Sequence, residues 1–365
     1  MPNHANSDIT QQVSPFLIFF IIHASQVGEG VLSFERFIAE KAGYDSWISI
    51  LLTGIIFSIA IFLICKLSIR NNGEDLIAIH QSLFGKYIGG FFSLFFIAYF
   101  FLITMTVIRS YIEIIQVWIF PDLSVFLFSL IIFILLLYYV LGGLRIVVGL
   151  LFFSIFTTTF LFSFKYVAFT NGYFSNLLPI MDHSFTEILQ AVEPMTYSFL
   201  GPELILVYAP FIHQFQKGIK WAIIGNLFTM LVYFLSAFAI FLYFNEQQLL
   251  QLSWPTLHMW KVIDLPFIER FEYVGITLHF IAIISTAAIY YWACTQSLFR
   301  LTGLSFKKIA TAILIISIGF SFFIHDFLVV EFIMQKISKV GFYIIVAYFP
   351  ILFLWQSILL GVKKK

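Results

Sequence analysis

Ten apolar runs, each of about membrane-crossing length, constrain this chain more than any other feature of its sequence. They cover about 15 to 41, 46 to 67, 86 to 118, 123 to 141, 146 to 164, 190 to 212, 218 to 244, 271 to 299, 308 to 325 and 339 to 361. Lipid offers the backbone no hydrogen-bond partners, so runs of this length fold as helices, each satisfying its own amides. The expected fold is therefore an all-α polytopic membrane protein of ten transmembrane helices, with residues 1–365 forming a single transmembrane domain. A composition of 61% hydrophobic and 11% charged residues leaves little material for a soluble domain. A formal charge of +1, spread between the apolar runs, excludes nucleic acid as a partner and leaves the lipid bilayer as the surrounding medium.

Charge placement sets the expected orientation. Twelve Lys and Arg fall on one side of the ten runs and six on the other, Lys165 among the six, with Arg36 and Arg109 inside runs. By the excess of positive charge on the cytoplasmic side, both termini are expected there. The first fifteen residues carry Asp8 and His4 but no basic stretch, so they do not read as a cleavable signal peptide, and the first run is expected to stay in the fold. Between runs two and three, Asn71 to Gly85 reads as a short helix on the membrane surface.

Run one is interrupted. Gly28-Glu29-Gly30 places two glycines and a carboxylate about halfway across it. Glycine costs about 1 kcal/mol in a helix interior, and a carboxylate in lipid about 2.5 kcal/mol or more. A helix broken around a small polar cavity resolves both penalties. Run six repeats the device as Leu200-Gly201-Pro202-Glu203, where proline also removes an amide donor. Breaks at equivalent places in two halves of five predict an inverted repeat, about 15–164 and 190–361, with broken helices 1 and 6 and a site at mid-membrane. The half-helix after Gly30 would offer amides and the half ending near Gln26 carbonyls, which together suit an amino acid's carboxylate and ammonium.

Candidate site residues follow from this geometry. Glu29 is the first, as a ligand or proton group or as a carboxyl hydrogen-bonded in a packed core. Glu203 either caps free amides at the second break or touches ligand. In run three, Tyr99, Ile103, Thr106, Arg109, Ser110 and Glu113 share one helical face. There Tyr99 could close the pocket, while Arg109 and Glu113, four residues apart, read as a structural ion pair. Ser285 and Thr286 put two hydroxyls in the middle of run eight, open to back-bonding within the helix or to lining the pocket. Arg36, with Glu35 and Glu40, reads as snorkelling toward the interface. His23, His213, His279 and His325 share no metal-ligand spacing and read as isolated residues. Cys65 and Cys294 give no disulfide framework, and no arrangement calls for a cofactor or for catalysis.

Gly28-x-Gly30 with Leu32-Ser33 and Arg36, Ala42-Gly43 to Trp47-Ile48, Ser198 to Gly201 with Glu203, Trp254-Pro255-Thr256 and Ile268 to Glu272 together resemble the B subunits of spore germinant receptors. These belong to the amino acid, polyamine and organocation permease superfamily. The resemblance covers essentially the whole chain and implies a sensor of the spore inner membrane that binds a small nutrient germinant beside A and C subunits. A proton- or sodium-coupled amino acid permease is the second reading. By the resemblance, Tyr99 and Ile103 match pocket- or channel-lining positions, and Ser285 and Thr286 line the pocket or hold Na+ against carbonyls of run one. Run five has no lysine at its middle to match the proton-coupling lysine of some relatives. The chain departs from the family at Glu35, commonly Pro, and at Glu29, commonly small or neutral. A neutral amino acid is the default ligand, with Glu29 open to selecting a cationic group, holding a proton or pairing with Arg.

Overall fold

The computed structural model describes residues 12–321 and 327–363, so Asp8, His4, His325 and the last two lysines of the tail lie outside it. Among the described residues the chain is helical, with two isolated bridges, Val13 to Ile212 and Leu265 to Ile268, and no strands. The helices are α1 (Ile18–Gln26), α2 (Phe34–Ala42), α3 (Trp47–Arg70), α4 (Leu76–Trp118), α5 (Val125–Leu141) and α6 (Leu144–Ser163). After them come the short α7 (Val167–Asn171), α8 (Phe185–Gln190), α9 (Val192–Thr196) and α10 (Ile205–Tyr208). The chain continues through α11 (Ile219–Tyr243), α12 (Glu246–Gln251), α13 (Pro255–Trp260), α14 (Phe271–Thr302), α15 (Phe306–Ser321), α16 (Phe327–Tyr343) and α17 (Phe349–Lys363).

Six continuous helical stretches are long and apolar enough to cross a membrane: Phe34–Arg70, Leu76–Trp118, Leu144–Asn171, Phe215–Tyr243, Phe271–Thr302 and Phe327–Leu359. Three shorter apolar stretches, Pro15–Gln26, Val125–Leu141 and Pro202–Phe211, accompany them. Their outer faces carry large exposed apolar side chains, among them Phe91, Phe153, Ile315 and Ile351. On a water-facing protein such surface would drive aggregation; here it is the surface that lipid covers. Inside, α14 packs against α4 and α6, and α11 packs against α1 and α3.

Element boundaries follow local chemistry. Asp75 caps α4 through the amide of Ala78 at 2.9 Å, and the helix breaks at Gly85, whose φ of 78° a side chain would resist. The segment before Gly85 is helical as expected, but it is not merely laid on a surface: His80 is buried and bonds Ser93 at 3.0 Å and Tyr348 at 2.7 Å. The last apolar stretch begins at Phe327, twelve residues before the hydropathy of run ten suggests. Gln335, Lys336 and Lys339 depress the average there, yet they sit on the exposed face of α16 while Met334, Ile337 and Ser338 are buried. A single π turn, Ile344–Tyr348, joins α16 to α17.

Candidate functional site

The first break opens where glycine removes the side-chain bulk and helix propensity that would continue α1. That helix ends at Gln26, Val27 and Gly28 leave helical geometry, a 3₁₀ turn covers Glu29–Leu32, and α2 starts at Phe34. The carbonyls expected to stand free here are occupied. Ala24 O accepts from Thr286 Oγ1 at 3.0 Å, Gln26 O from Tyr233 OH at 2.8 Å, and Gly28 O from His279 Nε2 at 3.0 Å. Side chains of α11 and α14 thus replace the missing helical amides. Gln26 is held from the other side, its Nε2 donating to Phe199 O at 3.0 Å and to Asn226 Oδ1 at 2.9 Å. Glu29 is buried; Oε1 accepts from Ser33 Oγ at 3.3 Å, and Oε2 has no partner among the described residues.

The second break turns at Gly201, whose φ of 140° is a glycine conformation. Its carboxylate is fully engaged: Glu203 Oε2 accepts from Gly201 N at 2.9 Å and Oε1 from Tyr290 OH at 2.8 Å. The two breaks lie so closely against each other, and the first against α14, that a side chain at these glycines would collide or crowd. A Cβ on Gly201 would lie 2.2 Å from Ser25 Oγ, one on Gly30 2.7 Å from Ser198 Oγ, and one on Gly28 3.0 Å from Thr286 Oγ1.

Other predicted residues divide around this centre. Tyr99 of α4 and Leu200 of the second break converge on Gly341 of α16, where an added Cβ would meet the Leu200 Cδ2 at 2.5 Å and the Tyr99 hydroxyl at 2.8 Å. That hydroxyl is buried without a partner among the described residues, and Ile103 is buried one turn along the same face. Arg109 donates to Glu113 Oε2 at 2.8 Å, an i to i+4 ion pair. Thr286 reaches the first break, whereas Ser285 bonds within its own helix to Ile281 O and across to Leu150 O of α6 at 3.3 Å. The two hydroxyls point to different neighbours because successive helical residues are about 100° apart. Among the described residues no three His, Cys, Asp or Glu side chains cluster as a metal site.

Two features escaped the sequence reading. Lys165, counted there with the interfacial lysines, is 4% exposed and donates to Glu35 Oε1 at 3.3 Å and Thr256 Oγ1 at 2.8 Å, and also to Ser236 Oγ. Ser236 donates to the same Glu35 oxygen at 2.9 Å. Glu35 therefore does not accompany Arg36 to an interface; it anchors α2 to the turn that follows α6, to α11 and to α13. Arg36 does not snorkel free either: it bridges Glu40 at 2.9 Å and Glu331 of α16 at 3.0 Å. Beside that bridge, a cavity of about 40 Å³ lies between Gly30, Ser33, Tyr197, Ser198 and Met334. It has room for water but not for an amino acid.

The arrangement shares its fold with a solved structure of MhsT in complex with L-phenylalanine, at a TM-score of 0.63 and 15% identity over 91% of this chain and 87% of that one. Spore germination protein GerQB of Bacillus cereus is 35% identical over 361 residues, 98% of this chain and 99% of the relative. Spore germination protein A2 of Bacillus subtilis (strain 168) is 25% identical over 83% of each chain. The profile of the spore permease family, described as spore germination protein, matches residues 12–330. With its apolar helices and paired breaks, the chain is an integral membrane protein that belongs to this family of permease-like spore germination proteins, which are not enzymes.

Proposed function

We propose that the chain is the membrane subunit of a spore germinant receptor and binds a small nutrient, an amino acid first, between the two breaks. In this reading it crosses the spore inner membrane ten times as two inverted halves of five, with both termini on the cytoplasmic (spore core) side. Receptor A and C subunits read its state. The observation that carries the proposal is the buried Glu29 carboxylate, which keeps one oxygen without a partner beside a helix break. An unpaired buried carboxylate oxygen is a standing penalty that a bound ammonium or a ligand hydroxyl removes. In this reading Gly28, Gly30, Gly201, Leu200, Tyr99, Ile103 and Thr286 contribute to the nutrient site with Glu29, and Glu203 holds the second break. Opening requires that the Arg36 to Glu331 bridge separate, and ligand drives it only by binding the open and closed arrangements unequally.

A thermal-shift screen of amino acids, sugars and nucleosides on the purified protein tests this. Stabilisation by an amino acid in the wild type, lost in Glu29→Gln, supports the reading; no response to any of the three classes removes it. The second reading, an H+- or Na+-coupled amino acid permease, draws on the Thr286 hydroxyl against the Ala24 carbonyl, oxygens of the kind a sodium ion takes at a broken helix. Ser285, turned toward α6, adds nothing to that pair in this conformation. Gradient-driven uptake of a radiolabelled amino acid into vesicles holding this chain alone separates the two readings.

A further inference from the structure

Behind the first break, on the side of α6 and α11, lies a cavity of about 250 Å³ that the proposed nutrient site does not use. Val27 and Val31, which flank the glycines, form its inner wall, and Phe162 of α6 and Leu231 and Leu235 of α11 form its rim. Leu231 and Leu235 are exposed on the apolar outer surface, so the cavity opens toward lipid and not toward water.

Apart from Lys165, its polar groups are uncharged. His23 and His279, both 2% exposed, line it. The Thr229 hydroxyl donates to Gly225 O at 3.0 Å, so it accepts from His23 Nδ1 at 2.8 Å, and His23 Nε2 is left as an acceptor. His279 donates from Nε2 to Gly28 O at 3.0 Å, which leaves Nδ1 as an acceptor. Neither remaining nitrogen has a hydrogen bond among the described residues. Trp260 also lines the cavity, and its Nε1 is buried without an acceptor. The one charge on the wall, Lys165, spends its three protons on Glu35, Ser236 and Thr256. A charged guest would shed its water and find no opposite charge free to receive it. An apolar guest would leave both imidazole acceptors unsatisfied.

We infer that this cavity is a second ligand site, entered from the bilayer, for a small uncharged amphiphile with a hydroxyl head, of the aryl alcohol class. The ring packs between Val27, Val31, Phe162 and Leu231, and the hydroxyl donates to a free imidazole nitrogen of His23 or His279. The guest rests on the back of the segment that carries Gly28 to Gly30, so its binding is coupled to the conformation of the break; by whatever factor it changes the affinity for a nutrient, the nutrient changes the affinity for the guest.

2-Phenylethanol titrated into the intact chain in lipid nanodiscs tests the assignment, read as thermal shift against concentration. The expected result is a saturating rise in Tm, with ethylbenzene and 2-phenylethylammonium each at least tenfold weaker. His23→Phe, which keeps the ring volume and removes the acceptor, is expected to weaken the alcohol at least tenfold. Val232→Trp fills the cavity from α11 and is expected to abolish saturation, and Leu231→Trp at the lipid-facing rim serves if that variant does not fold. A shift that stays linear in concentration and equal in the wild type and the cavity-filling variant reports partition into lipid and overturns the proposal. Equal affinity for the ammonium compound overturns it as well.

Discussion

The two breaks interrupt their helices at similar sequences, yet they are held in different ways. The second holds itself: Glu203 reaches back two residues to Gly201 N, and Tyr290 takes its other oxygen. The first is held from outside, by Tyr233, Thr286 and His279 on its carbonyls and by Lys165 on the helix that follows. One carboxylate is thus consumed by structure, while Glu29 keeps an unpaired oxygen. The same residue type beside similar glycines is therefore held in two different ways.

The largest expected effect tests the outside support. Lys165→Met leaves Glu35 buried without its cation, and removing one partner of a buried pair destabilises by roughly 3–5 kcal/mol. Tm in detergent is expected to fall sharply, and an unchanged Tm would mean that the first break needs no anchor at the end of α6. Next comes Gly201→Ala, expected to destabilise by about 3 kcal/mol because backbone strain adds to a clash with Ser25. Pairing it with Ser25→Gly should restore only part of the loss, since the φ of 140° persists; full recovery would show that the break is set by crowding alone. Glu203→Ala should come third, at roughly 2 kcal/mol, by stranding Gly201 N and Tyr290 OH, without altering which nutrients bind. A changed nutrient preference in a folded Glu203→Ala protein would move this residue from support to recognition.

Gly30→Ala is expected to lose about 1–2 kcal/mol, recovered by Ser198→Gly, because the obstruction is chiefly one hydroxyl. Glu29→Gln should change stability least, by less than about 1 kcal/mol, since the side chain gives up only a 3.3 Å contact from Ser33. Its nutrient response should nevertheless fall at least tenfold. If Glu29→Gln proves as destabilising as Glu203→Ala, the two breaks are alike and the distinction drawn here is gone.

Sequence carried the class of fold well because its signal is local. Glycine beside a carboxylate inside an apolar run stops a helix wherever the rest of the chain goes, and α1 ends at Gln26 just before such a triplet. The membrane-embedded, all-helical character of the chain was legible for the same reason, whereas its kinship with germination proteins was legible only through the resemblance of motifs such as Trp254-Pro255-Thr256. What stayed hidden depends on pairings across long separations. Lys165 sits at the end of an apolar run, where an interfacial lysine is the ordinary expectation, and its partner is 130 residues away. Ser285 and Thr286 are neighbours of equal polarity, and only the rotation of α14 shows which one meets the first break. His23 and His279 looked isolated because their common cavity is enclosed by α6 and α11, which no spacing rule connects.

The carbonyl contacts at the first break have a mechanical consequence. In an unbroken helix, Ala24 O, Gln26 O and Gly28 O would each accept from the amide four residues ahead. Here the acceptors are occupied by a threonine, a tyrosine and a histidine. Rewinding the segment would swing these carbonyls toward its own amides and disturb all three side-chain contacts together. The segment is thus moored to two helices at once, and a movement of either α11 or α14 pulls directly on the backbone of the break.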